Sequence, residues 1–187
     1  MNTQKGVVLI SSLVLLLIMT LLGVTAMNTT TLQEKMAGNN LDRERAFQAA
    51  EAALRDGEQF LEDIPAIYSP LSTSVNDNCN NGLCTKREDN IGFDFDAAEG
   101  DAGWYEERWL DDTLDVWNSG AKHRVYTTTI AGVSTSPKYI IELLNTVDCP
   151  GSITGANDCE IYRITALAHG GTTNSRVMLQ TTYRTRP

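Results

Sequence analysis

Residues 7–27 read VVLISSLVLLLIMTLLGVTAM, a run of 21 residues without one charged side chain. At about 1.5 Å per helical residue, this run spans roughly 30 Å, the thickness of the hydrocarbon core of a bilayer. The apolar region of a cleaved secretory signal is usually only about 7 to 15 residues long, and no small-residue cleavage site of the A-x-A kind follows residue 27. We therefore predict a transmembrane helix that the mature protein retains.

The short segment before this run, residues 1–6, is polar and includes one basic side chain, Lys5. Lys5 and the initiator amine favour a cytoplasmic N-terminus. Lys35, Arg43 and Arg45 outnumber them on the other side, so the positive-inside rule does not fix the orientation. The orientation has to come from the cysteines.

The four cysteines form two local pairs, Cys79 with Cys84 and Cys149 with Cys159, in stretches rich in Asn, Asp and Gly that are typical of loops. Zinc is the alternative, but neither spacing is the gap of about two to four residues found in zinc knuckles, and both histidines are distant in sequence. Four cysteines allow three connectivities, and we predict these two disulfides because the loops that they close are short. Disulfides persist outside the reducing cytosol, so the part after the anchor is predicted to be periplasmic.

Residues 28–64 are predicted to continue the helix with an amphipathic pattern. Apolar and small residues recur every three or four positions: Phe47, Ala50, Leu54, Gly57, Leu61 and Ile64. Ala46, Ala49 and Ala53 widen this stripe. Pro65 disfavours helical geometry at the residue before it, so the helix is expected to end at or before Ile64. No strong breaker lies between residues 27 and 32, which predicts one continuous helix about 85 Å long.

The remaining residues, 65–187, are predicted to form one extracytoplasmic globular domain of the α+β class together with the helix. Runs rich in Ile, Val, Thr and Tyr predict strands at residues 139–144, 160–168 and 176–183, and a fourth at residues 124–130. Short connections predict an antiparallel sheet of about four strands, whose apolar face the helix covers.

Charge and motifs argue against nucleic-acid binding and catalysis. The formal net charge is −9, whereas phosphate contacts require clustered Lys and Arg. His169-Gly170-Gly171 is similar to an esterase oxyanion loop, but the sequence contains no G-x-S-x-G nucleophile elbow, so we predict a turn between strands. Because phosphate-binding glycine motifs and metal-spaced histidines are also missing, no enzyme activity and no cofactor are predicted.

Two features between the cysteine pairs have alternative interpretations. Four carboxylates cluster there: Asp94, Asp96, Glu99 and Asp101. Calcium prefers such oxygen ligands, but Glu99 stands where the turn glycine of an EF-hand belongs, so a solvated acidic loop is preferred over a metal site. Three tryptophans follow: Trp104, Trp109 and Trp117. They form either an adhesive aromatic patch or part of the core, and the helical spacing of neighbouring leucines favours the core.

Three N-terminal segments resemble a known family: QKGVVL at residues 4–9, TLQEKMAGN at residues 31–39 and RAFQAAEAAL at residues 45–54. These segments closely resemble the PilX-type minor pilins of type IV pili, and AFQAAE at residues 46–51 is the most specific part. Looser similarities follow in NGLC at 81–84, YIIE at 139–142 and YRITA at 162–166.

The resemblance implies a pilin fold and a processed precursor. Prepilin peptidase is expected to cut after Gly6, and the new N-terminal residue, Val7, is expected to be N-methylated. The helix, with Ser11 and Gly23, then leaves the inner membrane and packs into the core of a filament at the cell surface. The partners that the family implies are other minor pilins, the major pilin and a tip adhesin, and the implied roles are twitching motility, adhesion and aggregation.

Ser11 departs from the wider pilin pattern. Most pilins carry Glu as the fifth mature residue, where it pairs with the amine of a neighbouring subunit, and counting from Val7 this position is Ser11. PilX-type proteins and the tip pseudopilin of type II secretion often lack this Glu, which favours a position at or near the filament tip. Two alternatives stay open, a minor pseudopilin of type II secretion and a membrane-anchored periplasmic binding domain that never polymerises.

Overall fold

The computed structural model of the protein describes residues 6–63, 75–76, 78–85, 108–110, 114–147 and 159–185. Within these residues one α-helix precedes five strands: α1 (Val7–Glu62), β1 (Leu83–Thr85), β2 (Arg124–Val125), β3 (Lys138–Val147), β4 (Cys159–His169) and β5 (Arg176–Arg184). The chain divides into two compact units, Met1–Leu41 and Asp42–Pro187, so the boundary falls inside the helix. The predicted α+β class is confirmed.

The continuous helix is also confirmed, and α1 ends at Glu62, inside the predicted limit. The last helical hydrogen bond runs from the Asp63 amide to the Gln59 carbonyl, at 2.9 Å. Ile64 and Pro65, on which the predicted limit was based, lie outside the described residues.

The buried face of α1 lies within the predicted stripe, but two of the large predicted side chains are not part of it. It consists of small residues and one leucine: Ala46, Ala49, Ala50, Ala53, Gly57 and Leu61. Phe47 was predicted to be on this face but is 39% exposed, and Leu54 is only partly buried. The reason is distance, because a β-carbon at Gly57 would lie 2.8 Å from Ile164 Cγ2 in the sheet. The backbone of α1 approaches β4 so closely that large side chains are placed at the flanks.

The sheet has the order β1-β3-β4-β5, and β2 pairs with the same strand, β3, as β1 does. The pairs β2–β3, β3–β4 and β4–β5 are antiparallel as predicted, whereas β1 runs parallel to β3. The prediction of a purely antiparallel sheet is therefore wrong for β1, and the sheet is mixed with five strands.

The strand predicted at residues 124–130 is much shorter in the structure, where β2 covers only Arg124–Val125. The Tyr126 amide still donates to the Pro137 carbonyl at 2.9 Å. Pro137 has no N–H to return the second bond of this pair, so the ladder stops here.

Both faces of the sheet are covered in the Asp42–Pro187 unit. On one face α1 packs against Tyr139, Ile141, Tyr162 and Ile164. On the opposite face Ile140 contacts a second cluster made of Cys79, Cys84, Leu114 and Val116, with Trp109 and Trp117 at its margin. This follows from the alternation of side chains along β3.

One ion pair is buried in the sheet, between Glu142 on β3 and Arg163 on β4. The Arg163 Nε–H donates to Glu142 Oε2 at 2.9 Å, and the Glu142 side chain is fully buried. The other carboxylate oxygen accepts a hydrogen bond from the Arg108 amide at 3.3 Å. This pair fixes β3, β4 and the short segment at residues 108–110 relative to each other.

Candidate functional site

The N-terminal part of α1 presents an apolar surface that no described residue of its own unit covers. The helix begins at Val7, directly after Gly6, and every residue from Gly6 to Leu41 is exposed. Exposed apolar side chains include Val8, at 72%, and Leu9, at 71%. By length and composition α1 is able to cross a membrane, and it lies near the N-terminus.

The hydroxyl groups in this part of α1 are all satisfied within the helix. Ser11 Oγ donates to the Val8 carbonyl at 3.0 Å, and Ser12 Oγ donates to the Leu9 carbonyl at 2.9 Å. The threonines make the same kind of bond to the preceding turn: Thr20, Thr25, Thr29, Thr30 and Thr31. Because each hydroxyl bonds to its own helix, these side chains present no unpaired donor to hydrocarbon or to a neighbouring helix.

The predicted filament-core residues are separate points along one helix and do not form a cluster. Gly6 and Gly23 have open surroundings, since no described atom lies within 4 Å of a β-carbon built at either position. At Gly23 the bare backbone offers a place where another helix can approach closely. Processing at Gly6 and Val7, and the roles of Ser11 and Gly23, remain predictions.

Cys79 and Cys84 form a disulfide at the start of β1. Both are fully buried, and the chain between them turns tightly through a short 3₁₀ helix, Asn80–Gly82. Gly82 adopts a φ of 73°, and a β-carbon there would lie 2.7 Å from the Arg124 side chain, so this position requires glycine. Cys159 is also disulfide-bonded, and its predicted partner, Cys149, lies outside the described residues.

The tryptophans that the structure describes pack against this disulfide. Trp109 and Trp117 are partly buried against the Cys79–Cys84 cluster, and Trp117 Nε1 donates to the Trp109 carbonyl at 3.3 Å. These two residues therefore contribute to the core rather than to an adhesive patch. Trp104 and the acidic cluster at residues 94–101 lie outside the described residues.

Sequence analysis missed how the β4–β5 turn fixes α1. The turn at His169-Gly170-Gly171 is present as predicted, but it also contacts the helix at Asp42. Asp42 Oδ2 accepts a hydrogen bond from the Thr172 hydroxyl at 2.6 Å, and Oδ1 accepts one from the Thr172 amide at 3.2 Å. The hydroxyl bond is the main reason that the pKa of Asp42 is lowered. The paired glycines are the sequence signal for this contact, because a side chain at Gly170 would collide with the Asp42 main-chain oxygen.

A long N-terminal helix with an exposed apolar first part, whose second part covers a small sheet, defines the pilin class of α+β proteins. Two family models match the chain: the PilX N-terminal model at residues 5–55, and the model for the type IV pilus assembly protein PilX C-term at residues 71–185. The chain therefore belongs to the PilX family of type IV pilus assembly proteins. No curated protein and no solved structure matches it.

Proposed function

We propose that this PilX-family protein is a minor pilin that enters the pilus in a priming or tip complex, together with other minor pilins and the major pilin. It acts by assembly and not by catalysis. Its precursor spans the inner membrane once, with the Asp42–Pro187 unit in the periplasm. Prepilin peptidase removes the leader after Gly6, Val7 becomes the methylated N-terminus, and the subunit supports motility, adhesion or aggregation from the pilus, where it can display a tip adhesin.

The observation that carries the tip placement is Ser11. A carboxylate in an apolar core is costly unless a neighbouring amine neutralises it, so Glu at the fifth mature position suits a subunit that has a preceding neighbour. The first subunit of a filament lacks this neighbour. The Ser11 hydroxyl is neutral and is satisfied by the Val8 carbonyl of its own helix, at 3.0 Å, so it needs no partner.

Immunogold labelling of filaments, combined with deletion of the gene, tests this placement. We expect label at filament ends, and a loss of pili upon deletion that is far larger than the abundance of the subunit explains. Label spread evenly along the shaft would contradict the tip position.

Substitutions at Ser11 test the electrostatic reason separately. Ser11→Glu is expected to reduce pilus number, because the added carboxylate has no amine to pair with at the tip. Ser11→Gln is the matched control, because Gln has the size of Glu without its charge. This variant should form more pili than Ser11→Glu. Equal pilus numbers in the wild type and the Glu variant would remove the electrostatic argument.

The family match favours the pilus over the type II secretion pseudopilin. A permanently anchored binding domain is distinguished by mass, because only pilin processing removes the six leader residues.

A further inference from the structure

A cleft of about 640 Å³ opens beside the C-terminal end of α1, within the Asp42–Pro187 unit. The C-terminal end of α1 lines the cleft with Asp56 and Phe60, and Asp63 follows directly after the helix. Val125 of β2 lines it from another element. Its size is in the range of about 300 to 1,000 Å³ that is typical of ligand-binding pockets. The predicted processing and filament-core residues, Gly6, Val7, Ser11 and Gly23, do not line this cleft.

Within the described part of the chain, no strand pairs with the edge of β2 that faces this cleft. Because the Tyr126 amide donates to Pro137, residues 124 and 126 occupy the positions of β2 whose amides and carbonyls face β3. The intervening residue, Val125, therefore directs its amide and carbonyl away from β3. Among the described residues no group bonds to them, and Val125 is 44% exposed. An unpaired strand edge of this kind is a template for another strand.

The helix end contributes two carboxylates to the cleft. Asp56 Oδ2 accepts a hydrogen bond from the Tyr139 hydroxyl at 2.7 Å, and Asp63 Oδ1 accepts one from Gln59 Nε2 at 3.0 Å. In the described part of the chain neither carboxylate forms an ion pair with a Lys or Arg side chain. Asp63 is the more accessible of the two, since it is exposed whereas Asp56 is partly buried.

The cation that lines the cleft already has partners. The Arg124 guanidinium lies over the Phe60 ring, 3.9 Å from its centroid, and its Nε–H donates to the Tyr139 hydroxyl at 3.2 Å. Its Nη1 donates to the Asn81 carbonyl at 3.4 Å. Burial lowers the pKa of His123, which also lines the cleft, and this favours its uncharged form. Among the described lining residues, two carboxylates and one guanidinium give the cleft a net negative charge.

We infer that this cleft binds an extended segment of a partner protein, which pairs with β2 as an additional strand and places a Lys or Arg side chain against Asp63. Addition of a peptide strand at a sheet edge beside a helix uses main-chain hydrogen bonds for affinity and nearby side chains for specificity. The Val125 amide and carbonyl, which bond to no described group, supply the main-chain hydrogen bonds. The negative charge of the helix end supplies the specificity for Lys or Arg. This interaction is independent of whether the subunit lies at the tip or in the shaft, and it goes beyond the proposed role in assembly.

The test uses the purified full-length chain in detergent and fluorescein-labelled pools of eight-residue peptides. The pools are randomised except for one fixed central residue, which is Lys, Gln or Glu. Fluorescence anisotropy should show that the Lys pool binds about tenfold more tightly than the Gln pool, as expected for one charge-assisted contact, and that the Glu pool binds most weakly. Equal binding of the three pools, or no binding, overturns the inference.

Two carboxylate variants locate the charge preference. Asp63→Asn should abolish the advantage of the Lys pool. Glu44→Gln is the matched control, because Glu44 accepts a hydrogen bond from Gln48 Nε2 at 3.0 Å, four residues away on α1, just as Asp63 does from Gln59, but Glu44 does not line the cleft. A Lys advantage that survives in Asp63→Asn, or that is lost equally in both variants, overturns the assignment.

Two variants at Val125 test strand pairing. Val125→Pro removes an amide that β3 does not use, so the sheet can form but the docking strand loses its hydrogen bond. Val125→Thr keeps the amide. Peptide binding should fall at least tenfold in the Pro variant and persist in the Thr variant, with equal unfolding midpoints. Unchanged binding by a folded Pro variant overturns the strand model, and if this variant does not fold, the Asp63→Asn comparison decides.

A second copy of the chain is the other candidate occupant. Light scattering of the full-length chain without peptide measures its oligomeric state and so tests whether two copies associate. A dimer that Asp63→Asn or Val125→Pro dissociates would show that the cleft binds another copy, and it would overturn the assignment to a partner protein.

Discussion

Gly57→Ala should lower the free energy of unfolding of the Asp42–Pro187 unit by about 1 kcal/mol, even though alanine is the better helix former. A β-carbon at this position would lie 2.8 Å from Ile164 Cγ2 and 3.3 Å from Tyr139 Cδ2. Overpacking of a core costs about 2 kcal/mol, whereas replacing Gly by Ala within a helix contributes about 1 kcal/mol of stability. The difference corresponds to a decrease in Tm of about 3 °C for a unit of this size.

A double-mutant cycle with Ile164→Ala isolates the steric contribution. Ile164 is fully buried, so its truncation alone should cost about 2 to 5 kcal/mol. It also removes Ile164 Cγ2, the atom that lies closest to the new β-carbon. In this background Gly57→Ala should therefore raise stability by up to about 1 kcal/mol, which gives a coupling energy of about 2 kcal/mol between the two positions.

Urea denaturation of the full-length chain in detergent, followed by tryptophan fluorescence, measures the four stabilities of this cycle. Gly38→Ala is the control on the same helix, because no described atom lies within 4 Å of a β-carbon there, and it should not lower the unfolding midpoint. Additive effects of the substitutions at residues 57 and 164 would contradict the close approach of α1 to β4.

Three further predictions concern the same unit. Replacing both Cys79 and Cys84 by Ala should lower the free energy of unfolding by roughly 2 kcal/mol in urea, because the short disulfide loop constrains the unfolded chain; an unchanged midpoint would count against this. Gly170→Ala should lower the Tm by several degrees in a thermal melt, since its β-carbon would collide with a main-chain oxygen of α1, whereas Gly120→Ala, in open surroundings, should have no such effect. Burial, with a hydrogen bond to a carboxylate, raises the pKa of Tyr139 to about 12. The unfolded state therefore loses this proton first, and the free energy of unfolding should decrease as the pH rises from about 10 to 12. Tyr139→Phe should flatten this decrease, and a wild-type slope in that variant would refute the assignment.

Much of the fold was predictable because its signals are local. The uncharged run at residues 7–27 defines a helix by itself, and Pro65 limits its C-terminal end. The strands β3, β4 and β5 are rich in β-branched and aromatic residues and are separated by loop-forming sequence, so their existence and antiparallel order followed from the pattern.

The remaining features depend on contacts that a linear pattern does not contain. The three-residue strand β1 is too short to show an alternation, and its parallel pairing with β3 depends on where the Cys79–Cys84 loop directs the chain. Phe47 fits the helical period, yet the alanines are buried because the sheet lies too close for a ring. Helical spacing predicted the face that approaches the sheet, but not which residues within this face are fully buried.

The candidate sites divide in the same way. Gly6, Val7 and Ser11 were identified from sequence because a leader and an apolar helix are linear features. The cleft beside β2 was not predicted, because it combines Asp63 at the end of α1 with Val125, whose amide bonds to no described group and which is far away in the chain. The ladder ends at Pro137, and a pattern of strand-forming residues does not show which edge this leaves unpaired.

Mass spectrometry of the N-terminal peptide from sheared surface filaments tests most directly whether this chain is a processed pilin. We expect a mature chain that begins with N-methylated Val7 and lacks residues 1–6. Gly6→Leu should leave the uncut precursor in the inner membrane. A wild-type chain that retains its leader, or that is absent from the filaments, would show that it is not a processed pilin.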